Sequence, residues 1–128
     1  MGLFGSGKKR ILVVDDELPA RVMVKEFLSL EYDTLEASDG LEAVDMAVRH
    51  KPDLILLDYD MPGMTGLQVV QTLRGNEELR GTRIIMVTGR GTLDIVDRLL
   101  EAGADDYIVK PVDIGKLNAK VQQILEKS

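Results

Sequence analysis

The chain has no cysteine, no tryptophan and a single histidine, His50. Without thiols, disulfides, thiol nucleophiles and zinc–thiolate centres are excluded. One histidine argues against a multi-histidine metal site and against histidine phosphotransfer on this chain. Positive charge is in the minority, with 16 Lys and Arg against 22 Asp and Glu and a formal net charge of −6. That balance argues against direct nucleic-acid binding, which draws on a basic patch. Long apolar runs are missing as well. None approaches the ~20 residues of a transmembrane helix. The first run, Ile11–Val14, is too short for a secretory signal. The expectation is a cytoplasmic domain with neither a membrane nor a nucleic-acid partner.

What is present suffices for one core. The chain has 128 residues, 45% of them hydrophobic, and single domains cluster at roughly 100–150 residues. Residues 1–8 are small and glycine-rich and then turn basic. They read as a flexible tail or cloning remnant ahead of one domain over 9–128. Met1 to Ser6 formally fit an N-myristoylation pattern, but the tail reading is preferred.

Apolar runs alternate with amphipathic stretches from Arg10 onward. Ile11-Leu12-Val13-Val14 ends in Asp15-Asp16, and Leu54-Ile55-Leu56-Leu57 ends in Asp58. Ile84-Ile85-Met86-Val87 ends in Thr88, and Ile108-Val109 ends in Lys110. Continuous runs of this length suit strands buried on both faces of a parallel sheet. The more polar Asp33-Thr34-Leu35-Glu36-Ala37 reads as an edge strand. Between the runs lie helical stripes: Ala20, Met23, Val24, Phe27 and Leu28; Leu41, Val44 and Val48 with Ala43 and Ala47; Leu67, Val70 and Leu73. Two more follow, with Leu93, Val96, Leu99 and Leu100, then Ile114, Leu117, Val121, Ile124 and Leu125. Asp39-Gly40 and Thr65-Gly66 can start helices, and Gly103 can end one. Five strands and five helices in strict alternation predict an α/β fold. Its expected form is a flavodoxin-like, doubly wound five-stranded parallel sheet of order 2-1-3-4-5.

In such sheets ligands bind outside the carboxyl ends of the strands, at the switch point between strands 1 and 3. The residues expected there are Asp15, Asp16, Asp58, Thr88 and Lys110. Three clustered carboxylates repel, so one takes a proton unless a cation sits among them. Oxygen ligands without His or Cys favour a hard cation, Mg²⁺ above others. An Asp carboxylate can also act as a nucleophile and carry a phosphoryl group. A metal and Lys110 would neutralise the transferring charge.

These residues resemble the receiver domain of two-component response regulators. The likeness covers Lys9 to about Lys127. It rests on Ile11 to Glu17, on Leu56-Leu57-Asp58-Tyr59-Asp60-Met61-Pro62-Gly63-Met64, on Val87-Thr88-Gly89, and on Gly103 to Pro111. The resemblance implies that Asp58 is the phosphoacceptor, served by a histidine kinase or histidine phosphotransfer protein. It implies Mg²⁺ held by the carboxylates of Asp16 and Asp58 and the backbone carbonyl of Asp60, with Asp15 binding directly or through water. It further implies that Lys110 contacts the phosphoryl group, that Lys110-Pro111 is a cis peptide, and that Thr88 and Tyr107 form a conformational switch. Asp60 and Arg90 would flank the phosphoryl group and tune its lifetime, Arg90 pairing with Asp60 to shield it from water. The donor face would lie near helix 1, Pro19 to Leu30. The readout face, toward an effector or output domain, would be helix 4, strand 5 and helix 5: roughly Thr92 to Ala102, Asp106 to Val109 and Ile114 to Glu126. Two copies could also pair through that face. Such a chain is a signalling phosphoacceptor that assists its own phosphorylation and dephosphorylation, not an enzyme acting on others.

Three alternatives compete. A constitutive docking receiver would keep the fold without the chemistry, against which the intact acidic set, Thr88 and Lys110 argue. Asp58-Tyr59-Asp60 resembles the DxD of haloacid-dehalogenase-type phosphatases, but Pro62 stands where that family carries Thr or Val. A flavodoxin-like cofactor binder wants a phosphate-cradling loop after strand 1, where Asp15-Asp16-Glu17 would repel phosphate.

Overall fold

The computed structural model describes residues 7–89 and 93–126. Most of the expected N-terminal tail, Arg90 and the first residue of the expected readout face, Thr92, therefore lie outside the described residues. The elements are β1 (Arg10–Val14), α1 (Leu18–Leu28), β2 (Asp33–Ala37), α2 (Gly40–His50), β3 (Leu54–Asp58) and α3 (Gly66–Arg74). A 3-10 turn, Glu77–Leu79, precedes β4 (Arg83–Thr88), α4 (Leu93–Ala102), β5 (Asp106–Val109) and α5 (Ile114–Glu126). The strands form one parallel sheet in the order β2-β1-β3-β4-β5. Among the described residues no helix is long and apolar enough to cross a membrane.

Side chains alternate between the faces of a strand, and here both faces are covered. Ile11, Val13, Leu54, Leu56 and Ile85 pack with Val24 and Leu28 of α1 and with Leu117, Val121 and Leu125 of α5. Leu12, Val14, Ile55, Leu57, Ile84 and Met86 pack with Ala43, Ala47, Val69, Val70, Leu73 and Leu99 of the other three helices. This two-sided burial is why the central strands read as unbroken apolar runs.

Helix starts follow local chemistry. Asp39 caps α2 by accepting the Glu42 N–H at 2.8 Å. Thr65 and Gln68 form a reciprocal capping box at α3. The α2 stripe packs through Ala43, Ala47 and partly Val44, as expected, but Leu41 and Val48 depart from the sequence expectation by being exposed. Its buried face is Gly40, Ala43 and Ala47, while Leu41 is 74% exposed. Small residues let the helix lie close to its neighbours, and Leu41, one position round from Gly40, points away. Leu93, at the start of α4, is likewise exposed.

After α4 the chain turns at Gly103, whose φ is +122°. A Cβ there would stand 2.6 Å from Arg74 Cγ. Arg74 fills that space because it donates Nε–H to the Gly103 carbonyl at 2.9 Å, Nη1–H to the Leu79 carbonyl at 3.2 Å and Nη2–H to Asp105 at 3.1 Å. Gly103→Ala combines a strained backbone with a clash. It is expected to lower the unfolding free energy by roughly 1–3 kcal/mol in urea titration. A change below about 0.5 kcal/mol, the range of ordinary surface substitutions, would contradict this account.

Candidate functional site

Asp58 is the last residue of β3 and is 1% exposed. It continues the face of Leu54 and Leu56 by the two-residue period, so it is directed toward the α1 and α5 side. Its Oδ1 accepts the Lys110 ammonium at 2.9 Å and the Asp60 N–H at 3.1 Å. Its Oδ2 is buried and has no hydrogen-bond partner among the described residues. Burial pushes the Asp58 carboxyl up to about 6, and the nearby Asp15 charge adds to this. Lys110 and the Asp60 N–H oppose the rise. Burial pulls the Lys110 ammonium down, but its hydrogen bond to Asp58 and the charges of Asp58, Asp15 and Asp60 outweigh that. Its pKa ends above the ordinary lysine value.

Asp15 acts on this carboxylate and lines the same cavity, while Asp16 is grouped with Asp15 and Glu17. The carboxylate oxygens of Asp15, Asp16 and Glu17 lie within 4.8 Å of one another. Asp15 Oδ1 accepts the Glu17 N–H at 2.9 Å. Asp60 is exposed, and its Oδ2 accepts the Gly89 N–H at 3.4 Å. Thr88 ends β4 fully buried, and its carbonyl accepts the Lys110 N–H at 2.8 Å. Thr88 and Val109 are register partners, so the β4 and β5 ends arrive together. The Lys110-Pro111 peptide is cis. Tyr107 is half-buried against the α2–α3–α4 side of the core, with Lys120 Nζ 5.7 Å from its ring centroid. Lys120 is itself held by Asp106 at 3.0 Å.

The topology thus gathers residues far apart in sequence. Asp15, Asp58 and Lys110 line one cavity of about 490 Å³ between α1 and α5, walled by apolar side chains that include Ala20, Met23 and Leu117. The acidic loop, a buried carboxylate oxygen without a partner and an all-oxygen donor set together fit a hard divalent cation. Glu17 belongs to that cluster although the sequence did not single it out as a ligand; its place directly after the Asp pair was the available signal. Arg21 and Glu36, which support the loop from behind, were also missed. A charge on a helix and one on an edge strand ordinarily read as solvated.

Comparison with known proteins bears on the same residues. The family model for the response regulator receiver domain matches residues 11–122. Sporulation initiation phosphotransferase F of Bacillus subtilis is 35% identical over 118 residues, spanning 91% of this chain and 94% of that protein. The phosphate regulon transcriptional regulatory protein PhoB of Pseudomonas aeruginosa is 40% identical over 121 residues. That match spans 94% of this chain but only 53% of PhoB, so the chain covers about half of such regulators. Among solved structures, the Vibrio cholerae chemotaxis protein CheY4 superposes with a TM-score of 0.88 at 30% identity, covering 93% of this chain and 100% of that one. A CheY-like receiver domain protein from Methanospirillum hungatei gives 0.88 at 31%, covering 94% and 96%. With the sheet order, the acidic strand ends and these matches in agreement, the chain belongs to the response regulator receiver domain family of two-component signalling.

Proposed function

We propose that residues 9–128 accept a phosphoryl group on Asp58 from a phosphohistidine donor, either a kinase or a phosphotransfer protein. The observation that carries this reading is the state of the Asp58 carboxylate. One oxygen is anchored by Lys110 and the Asp60 N–H, the other is buried without a partner among the described residues, and Asp58 lines a cavity. A carboxylate oxygen attacks phosphorus, the bond from phosphorus to the donor nitrogen breaks, and the donor leaves with that electron pair. Lys110 holds the carboxylate in place and brings positive charge to the phosphoryl oxygens. Asp15, Asp16, Asp58 and the Asp60 carbonyl would hold Mg²⁺. When bound, the ion supplies further positive charge against the phosphoryl oxygens. The name of the sporulation relative, a phosphotransferase, supports a donor of this class. The apolar walls of the cavity beside α1 support that side as the donor face.

The readout follows from what phosphorylation adds, a doubly charged group with three acceptor oxygens. Thr88, buried at the end of β4, is the hydroxyl placed to answer it, and Tyr107, on the neighbouring strand, is the aromatic that would move with it. Both bias a two-state equilibrium that is read on α4, β5 and α5. Asp60 and Arg90 would set how long the phosphoryl group lasts.

Intact mass after incubation with acetyl phosphate and Mg²⁺ tests the reading. The expected result is a gain of one phosphoryl group, absent without Mg²⁺; no gain would favour a docking role instead. The switch is tested without a donor. Beryllofluoride with Mg²⁺ should shift backbone amide resonances across Leu93–Ala102 and Asp106–Val109. Thr88→Ala should remove most of those shifts while leaving the ones around Asp58. Equal shifts in both proteins would remove Thr88 from the switch.

A further inference from the structure

The acidic loop after β1 has a support that the chemistry above does not use. Arg21 sits in α1 and its side chain is only 13% exposed. Its Nη1–H donates to the Asp15 carbonyl oxygen at 2.7 Å, and its Nε–H donates to Glu36 Oε1 on β2 at 3.0 Å. The other Glu36 oxygen is held by Lys25 Nζ at 3.1 Å. Burial works to raise the Glu36 carboxyl, but the hydrogen bonds and charges of Arg21 and Lys25 outweigh it and keep the group below the ordinary range. The Asp15 N–H meanwhile donates to the Ala37 carbonyl at 3.1 Å, and Asp15 Oδ1 accepts the Glu17 N–H at 2.9 Å. Asp15 is therefore fixed at its amide, its carbonyl and one carboxylate oxygen. The carbonyl is the one anchored through a side chain from another element.

We propose that Arg21, locked by Glu36, is a positioning residue for the metal-holding loop: it fixes the Asp15 backbone so that the carboxylates of Asp15 and Asp16 are presented to the cation already ordered. This inference rests on the reading of those carboxylates as metal-holding. The two things an arginine can do here have opposite signs. As a bare positive charge near the cluster it repels an incoming cation, so its removal would tighten binding. As an organiser of the loop its removal loosens the ligands and weakens binding. The two short hydrogen bonds, and the neutralisation of the guanidinium by Glu36, favour the second role.

The test is Mg²⁺ titration of the full chain by calorimetry and by the amide resonances of Asp15, Asp16 and Glu17. Arg21→Met keeps the aliphatic stem and removes the guanidinium. It is expected to weaken Mg²⁺ binding about 10-fold, the low end of what loss of an outer-shell partner costs a bound metal, because Arg21 holds the backbone rather than a ligand oxygen. Those amides should also shift before any metal is added. Arg21→Lys, which retains the charge but cannot hold both partners at once, should fall between and keeps the test open if the Met variant folds poorly. Lys25→Ala breaks the second Glu36 pair without touching Asp15, and should leave Mg²⁺ affinity within about twofold. Uptake of phosphoryl from acetyl phosphate should need more Mg²⁺ in Arg21→Met yet reach the wild-type rate at saturation. Unchanged or tighter Mg²⁺ binding in Arg21→Met, with a merely lower melting point, would overturn the inference. A wild-type chain that binds no Mg²⁺ would overturn the underlying metal reading and this inference with it.

Discussion

Asp58→Asn is expected to take up no phosphoryl group from acetyl phosphate and Mg²⁺ and, in metal-free buffer, to be more stable than the wild type above pH 6. The first part follows from losing the nucleophilic carboxylate while the fold stays intact. The second follows from the electrostatics of burial. The Asp58 carboxyl is raised from its ordinary value of 3.8 to about 6, so the folded state holds that proton more tightly than the unfolded chain does. A group raised in this way contributes stability that is fully present below its unfolded value and lost as pH rises through its folded value. The window therefore runs from about pH 4 to about 6, and the contribution lost across it is at most on the order of 3 kcal/mol, less where solvent screens the charge. An asparagine resembles the neutral acid in shape and never pays this desolvation. Urea unfolding in EDTA at pH 4 and pH 8 should show the two proteins converging at the acid end and parting at the basic end. Mg²⁺ should reverse the order at pH 8, because a cation that binds only the folded wild type stabilises it by mass action. Parallel pH curves would show that Asp58 ionisation carries no folding free energy. Phosphorylation of the variant would move the acceptor to another residue.

The same burial explains what could be read from sequence and what could not. Strands clad on both faces must be apolar at every position, so β1, β3 and β4 announce themselves, and whatever polar residue ends each run is carried to the same rim of the sheet. Asp15, Asp16, Asp58 and Thr88 were legible for that reason; Lys110 follows the shorter, half-exposed edge strand β5 and was legible only from its place after the Ile108-Val109 run. Helix faces were less so. In α2 the expected stripe packs through Ala43, Ala47 and, partly, Val44, while its outer members Leu41 and Val48 stay exposed, because close approach favours the small side chains on the Gly40 face. Cross-element ion pairs left no trace at all. Arg21 and Glu36 are separated by helix, loop and strand, and Arg74 reaches Gly103 and Asp105 across 29 and 31 positions. Neither pattern has a period or a motif. Each depends on where long flexible side chains come to rest once the layers are assembled.

Lys110→Met separates the two duties of the ammonium, holding Asp58 before transfer and receiving charge during it. Removing a positioned cation from a transferring group typically lowers the rate by 10²–10³-fold, and that is the expected fall in phosphoryl uptake from acetyl phosphate. Stability should respond as well, in a manner that depends on pH. With Lys110 gone, ionised Asp58 keeps the Asp60 N–H among the described residues, and loss of the ammonium pushes its carboxyl further up. At pH 8 in EDTA the variant must bury an unpaired carboxylate or hold a proton against the solution. Breaking one partner of a buried pair costs roughly 3–5 kcal/mol at most. At pH 5 the carboxyl is already largely protonated in the wild type, so the loss there should be much smaller. Combining Lys110→Met with Asp58→Asn should restore most of the stability lost at pH 8, since the double variant leaves no charge stranded. The double-mutant cycle at pH 8 is therefore expected to be strongly non-additive. Additivity within about 0.5 kcal/mol, as for sites that do not touch, would mean that the 2.9 Å contact between Lys110 and Asp58 is not an energetic pair in solution.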